Sequence, residues 1–125
     1  MKEIISTANA PASIGPFSQA IRAMGFVFTS GQVAMDPETG EVIDGDVAEQ
    51  TDLTLRNLAA VLTAAGSGLD KVVRCSVFLK DMADFPRMNE VYRQYFPSAP
   101  PARTTVEVSR LPKDARVEID AIALA

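Results

Sequence analysis

The chain has no histidine and only one cysteine, Cys75. Without imidazole, Ser-His-Asp and Cys-His triads and His/Cys zinc sites cannot be assembled from this chain alone. A lone thiol also rules out an internal disulfide and a Cys-Cys redox pair. Positive charge is scarce as well: 12 Lys and Arg stand against 16 Asp and Glu, for a net charge of -4. No field of the kind that draws phosphate backbones is built, so nucleic acid is not expected as a partner. Long apolar runs are missing. The best of them, around "LAAVLTAAG", is roughly half of the ~20 residues needed to cross a bilayer. The opening "MKEIISTANAPAS" offers only Ile4 and Ile5 as strong apolar residues, too few for a signal-peptide core. No membrane partner and a cytoplasmic location are therefore expected. Chemistry near neutral pH would fall to carboxylates, guanidinium groups, hydroxyls, backbone amides and water.

What is present is an ordinary globular composition, 47% hydrophobic and 22% charged over 125 residues, consistent with one folded domain over residues 1–125. No composition shift, charge block or repeat divides it. "QAIRAMGFVFTSGQVAM" reads as two short strands about a Met24-Gly25 turn, followed by a "DPETGEV" turn in which Pro37 presets φ and Gly40 relieves a later position. From Asp46 the period becomes helical. Asp46 and Glu49 form a capping-box signature, Leu55, Leu58, Leu62 and Ala65 repeat at helical spacing, and Gly66 ends the run. "KVVRCSVFLK" is a strand with Val73, Cys75, Val77 and Leu79 on a core face and Val72, Arg74, Ser76 and Phe78 on the other. A second helix is expected with Asp84 as cap, Pro86 in its first turn, an apolar stripe of Phe85, Met88, Val91, Tyr92 and Tyr95, and a stop at Pro97. After the rigid connector "SAPPA", Arg103 to Val108 and Arg116 to Ala123 read as a hairpin closed by "SRLPKDA".

The order predicts an α+β sheet whose two helices cover one face. The other face mixes Phe78 and Ile122 with Arg74, Ser76, Glu118 and Asp120. That is the character of a subunit contact containing polar clefts, with a solvated sheet face as the rival reading.

Parity places Arg103, Thr105 and Glu107 on one face of their strand, and Glu118, Asp120 and Ile122 on one face of theirs. Register decides whether those faces coincide. If Arg103 lies opposite or diagonal to Glu118, a guanidinium and a carboxylate share one small site. The arginine fork suits a ligand carboxylate, at ~1.5 to 3 kcal/mol per charge-assisted bond. The plain alternative is a cross-strand ion pair worth ~0.2 to 1 kcal/mol. On residue type alone Phe17 is a packed aromatic, Ser30-Gly31 a strand end with a turn glycine, Asn89 a polar-face residue, and Cys75 an inert core thiol.

"IGPFSQAI", "TSGQ", "FLKDMADFPRMNEVY" and "PPARTTVEVSRLPKDARVEIDAIA" together resemble the Rid (YjgF) family of reactive-intermediate deaminases, most closely its RidA branch, over about Ala8 to Ala123. The resemblance implies a chorismate-mutase-like α+β fold, a homotrimer with clefts between subunits, and no metal or organic cofactor. It implies hydrolysis of 2-imino acids or their enamine tautomers to 2-keto acids and ammonia. On it, Arg103 matches the arginine that binds the substrate carboxylate, and Glu118 the glutamate that positions water. Phe17, Ser30, Gly31, Asn89 and Thr105 match positions that line the cleft. Two departures stand out: Phe17 occupies the place of the family's usual tyrosine, and Thr105 that of a frequent cysteine. Both keep approximate size, so altered rate or preference is expected before loss of activity. The competing function is a non-catalytic trimeric binding protein for 2-keto acids or related small carboxylates, while a chorismate-mutase-like rearrangement lacks the cluster of basic residues a dicarboxylate would need.

Overall fold

The computed structural model describes residues 1–125. Six strands form one mixed sheet in the order β1-β2-β3-β6-β4-β5, with β1 at Glu3–Ile5, β2 at Ala20–Ala23, β3 at Phe26–Thr29, β4 at Val72–Leu79, β5 at Ala102–Glu107 and β6 at Val117–Leu124. Helix α1 (Val47–Ala64) leads from β3 to β4, and α2 (Phe85–Tyr95) leads from β4 to β5. Both helices pack on the same side, giving the expected α+β architecture.

Local chemistry sets most of these boundaries. Met24 and Gly25 turn β2 into β3 with φ of 55° and 82°, the positive-φ pair that a tight hairpin requires. The Asp46 side chain accepts from the Glu49 N–H at 2.9 Å while Glu49 reaches back to the Asp46 N–H, completing the capping box. At the other end Gly66 takes φ 78°, and bonds from Ser67 N–H to Leu62 O and from Gly66 N–H to Thr63 O close a Schellman motif. The stripe Leu55, Leu58, Val61 and Leu62 is fully buried against Cys75, Val77 and Leu79 of β4 and Val117, Ile119 and Ala121 of β6. This is the main core.

Four expectations need correction. A bulge between Val72 and Arg74 shifts the start of β4, so Val72 is buried and Val73 exposed, the reverse of simple alternation; from Cys75 onward the parity holds. Asp84 makes no side-chain cap. Asp81 caps instead, accepting from Ala83 N–H at 2.9 Å at the head of a single 3₁₀ turn, Met82–Asp84, that runs into α2. Ile4 and Ile5, noted above only as too few strong apolar residues for a signal-peptide core and assigned to no element, form part of β1. The fourth correction matters most: β5 and β6 are not a hairpin. β4 lies between them, parallel to β5 and antiparallel to β6.

The connector explains how. Val108 N–H bonds to Leu79 O at one flank of the end of β4, and Lys80 N–H bonds to Arg116 O at the other, so residues 109 to 115 step over that end. Lys113 and Asp114 both take positive φ, 53° and 58°, to make the reversal. The face away from the helices is left bare, with Ile4, Phe26, Phe28, Val106 and Leu124 exposed beside half-buried Phe78, Ile122, Glu118 and Asp120.

Candidate active site

Glu118 sits on the bare face, in register with Phe78 of β4. Opposite it, the chain leaves β3 after Thr29 and rejoins β6 at Gln32, which exchanges bonds of 2.8 and 3.0 Å with Ile119. Ser30 and Gly31 form the step between. Ser30 is tied down by its N–H to Gln19 O at 2.9 Å and its hydroxyl to Ser18 O at 2.5 Å. Gly31 lies directly against the glutamate: a Cβ there would fall 2.6 Å from Glu118 Oε2. A cavity of about 360 Å³ opens beside the carboxylate, walled by Phe17, Ser30, Gly31, Met35 and Pro112.

Phe17 is held in that wall by a loop that sequence reasoning passed over. Buried Gln19 accepts from Thr7 N–H at 2.7 Å and donates to Pro11 O at 2.7 Å and Thr7 O at 3.1 Å, stitching the loop to the sheet. A polar residue within "GPFSQ" gave no periodicity signal for this role. Burial, and then the charge of Asp120 on the same face, push the Glu118 carboxyl above its ordinary range. Asp120 is pushed up too, chiefly by burial, against the opposing pull of Ser76 and Arg74.

Arg103 occupies the other side of the sheet. On edge strand β5 it is in register with buried Cys75, which turns its side chain toward the helices. The guanidinium carbon lies 5.5 Å from the centre of the Phe85 ring and 4.7 Å from that of Tyr92, both on α2. The ion pairs of the chain join other residues, so this cation has no acidic partner. Asn89, Tyr92, Phe96, Pro101 and Arg103 line a shallow cleft of about 440 Å³. Thr105 follows two residues along the same face of β5. Asn89 Oδ1, the Tyr92 hydroxyl and Thr105 Oγ1 are buried there without a hydrogen-bond partner. Such groups carry a desolvation cost until something supplies a donor or acceptor.

The anticipated residues thus divide into two half-sites, except that Thr105, on the Arg103 face of β5, lines neither cleft. Phe17, Ser30, Gly31 and Glu118 line one; Asn89 and Arg103 line the other. Within one chain the guanidinium and the carboxylate do not share a pocket, because the intervening β4 removes the hairpin register that would have joined them. Phe85 and Tyr92, seven residues apart and so on one face of α2, were read only as an apolar stripe. Their spacing was visible, but not the strand they would meet.

Comparisons with known proteins agree on kinship. A family model described as Endoribonuclease L-PSP matches residues 7–125. The chain is 56% identical to a RutC family protein of Pyrococcus horikoshii over 98% of each chain. It is 48% identical to a Bos taurus protein named 2-iminobutanoate/2-iminopropanoate deaminase, over 99% of this chain and 90% of the relative. A crystal structure of RidA from an Antarctic Psychrobacter superposes with a TM-score of 0.95 at 39% identity, over 98% of this chain and 99% of that one. The mixed sheet with two helices on one face is the chorismate-mutase-like α+β fold of such neighbours. The chain belongs to the Rid family, in which relatives at 45% and 48% identity are named as deaminases.

Proposed function

We propose that the chain hydrolyses 2-imino acids, or their enamine tautomers, to 2-keto acids and ammonia in clefts between the subunits of a homotrimer. Each cleft takes Arg103 from one subunit and Glu118 from its neighbour. The observation that carries this reading is the division of the site: an arginine without an acidic partner on the helix side and a half-buried carboxylate on the bare side, each beside an open cleft. The bare face supports assembly. Phe26 and Phe28, with rings 6.2 Å apart, are 37% and 43% exposed at its centre, which a neighbouring copy would cover.

The chemistry asks little of the protein. An imine carbon is already electrophilic, and each tenfold in rate is ~1.4 kcal/mol of barrier. Arg103 would grip the substrate carboxylate with both arms of its fork. Glu118 would take a proton from a water as that water's oxygen bonds to the imine carbon and the C=N pair moves to nitrogen, giving a carbinolamine. That proton passes to the nitrogen, and the hydroxyl's proton follows it by way of Glu118 as the C–N bond breaks, so that ammonia leaves and the carbonyl forms. Holding water and carbon in contact supplies much of the gain.

Burial raises the basicity of Glu118 within its own chain. In the assembled cleft the neighbour's Arg103 would act in the lowering sense until a substrate carboxylate neutralises it. The net charge of -4 and the absence of histidine favour a small anion over RNA as substrate.

The test is to generate 2-iminobutanoate with an amino-acid dehydratase, add semicarbazide as a trap, and measure loss of imine with and without the protein. Faster loss that disappears in both Arg103→Ala and Glu118→Ala is expected. Unchanged imine lifetime together with keto-acid binding that depends on Arg103 would instead identify a binding protein.

A further inference from the structure

We infer that Phe85 and Tyr92 are positioning residues that hold the Arg103 guanidinium with its faces against aromatic rings and its N–H edges free for a carboxylate. The inference rests on the functional reading above for the identity of the ligand. Its physical basis is independent of that reading.

An arginine on an edge strand would ordinarily sample many rotamers, and ordering it at the moment of binding would weaken the complex. Two features oppose that here. Both rings project from one face of α2, with the guanidinium carbon 5.5 and 4.7 Å from their centres, inside the range of cation–π attraction. The Tyr92 ring is itself braced by Phe96, with centroids 4.6 Å apart, and is almost wholly buried. The clamp is therefore built on a rigid element.

The way arginine interacts then decides what remains available. Rings attract the guanidinium through its flat faces, whereas carboxylates bind its N–H edges. An acidic partner would have consumed the edges; aromatic partners leave them open. Lysine could not reproduce this, because an ammonium has no plane to stack and no fork to present.

Affinity for 2-ketobutyrate, measured by calorimetry, and imine hydrolysis should be followed in Arg103→Ala, Phe85→Leu, Tyr92→Leu and Tyr92→Phe. Each leucine variant is expected to weaken keto-acid binding and raise KM by about 3- to 10-fold with kcat little changed, and Tyr92→Phe, which keeps the ring, is expected to weaken binding less than Tyr92→Leu does. The Arg103 Nε–Hε NMR signal, assigned by its loss in Arg103→Lys, should be sharp in the parent and broadened in the leucine variants, a change that general destabilisation of a folded protein would not produce. Where Tyr92→Leu is too unstable to fold, half-buried Phe85 carries the test. If Arg103→Ala abolishes binding but folded leucine variants bind as tightly as the parent with an unchanged Nε–Hε signal, the clamp is refuted and the functional reading survives. If the parent does not bind the keto acid and Arg103→Ala changes nothing, the functional reading fails; the Nε–Hε signal then decides the clamp alone, broadening in the leucine variants upholding it and no change refuting it.

Discussion

Arg103 and Glu118 lie on opposite faces of one sheet. Arg103 is in register with Cys75 of β4 and Glu118 with Phe78, three positions further along the same strand, where side chains point the other way. A ligand small enough to be an amino-acid derivative cannot touch both groups of one chain through a sheet. If both act on it, one must come from another copy, and the bare face that carries Glu118 is the surface through which copies would meet.

On the proposed function, that relationship makes assembly a condition of activity. Phe28 is exposed on the bare face while its neighbour Val27 is fully buried. Phe28→Glu should therefore leave the core intact but place a charge at the centre of the subunit contact. We expect light scattering to show monomers, circular dichroism to retain the parent spectrum, and imine hydrolysis to fall by at least about 100-fold because the two half-sites no longer meet. Full activity in a proven monomer would show that one chain suffices.

Gly31 is the second point of leverage. Its backbone is not left-handed, so alanine is tolerated conformationally, but the added Cβ would meet Glu118 Oε2 at 2.6 Å and Cδ at 2.8 Å. The cost must fall on the carboxylate, which would swing away from Gly31. Gly31→Ala is expected to fold with a near-parental melting temperature and to lose about 10- to 100-fold in kcat. In Glu118→Ala the same substitution should have little further effect, since the group it displaces is gone. Losses that multiply in the double variant would mean Gly31 acts by another route.

The two carboxyls on the bare face predict a pH dependence. Burial first, and then Asp120, raise Glu118, and Asp120 is itself raised by burial. Glu118 must be ionised to accept a proton from water, so the acid limb of the kcat profile, where a substrate carboxylate neutralises Arg103, should lie above the usual carboxylate value of about 4.3. Asp120→Asn removes a neighbouring negative charge, making ionisation of Glu118 easier, and should move that limb to lower pH. Stability runs the opposite way. The folded state binds these protons more tightly than the unfolded state, so unfolding free energy should fall as pH rises from the unfolded values through the raised ones. Glu118→Gln should reduce that fall. Rate profiles and urea titrations at several pH values measure both, and an acid limb unmoved in Asp120→Asn would remove the assigned coupling.

How far these groups could be placed beforehand depended on the range of the interaction that places them. The capping box at Asp46 and Glu49, the Met24-Gly25 turn and the buried triad Cys75, Val77 and Leu79 are set within a few residues, and all were legible. The bulge at Val73 was not, because it arises from pairing with β6, some fifty residues away in the chain. The partner of β5 was hidden for the same reason. Alternation reveals the two faces of a strand, but nothing in "SRLPKDA" states that the turn must straddle β4. Residue-by-residue resemblance identified Phe17, Ser30, Gly31, Asn89, Arg103, Thr105 and Glu118 as a set. Their division between two half-sites, and the supporting parts of Gln19, Phe85 and Tyr92, depended on contacts between segments distant in the chain.

Mixed assemblies test the division directly. Arg103→Ala subunits retain Glu118, and Glu118→Ala subunits retain Arg103, so each alone should assemble into inactive particles. When the two are co-expressed or refolded together, some clefts form between an intact arginine of one subunit and an intact glutamate of its neighbour. In any closed ring with random equal mixing, about one cleft in four has that combination. Recovery of about a quarter of parental imine hydrolysis is expected, appearing only when subunits exchange and lost when Phe28→Glu is introduced into both. If both groups acted from a single chain, no mixture could restore a complete site, and the mixed particles would stay inactive at every ratio.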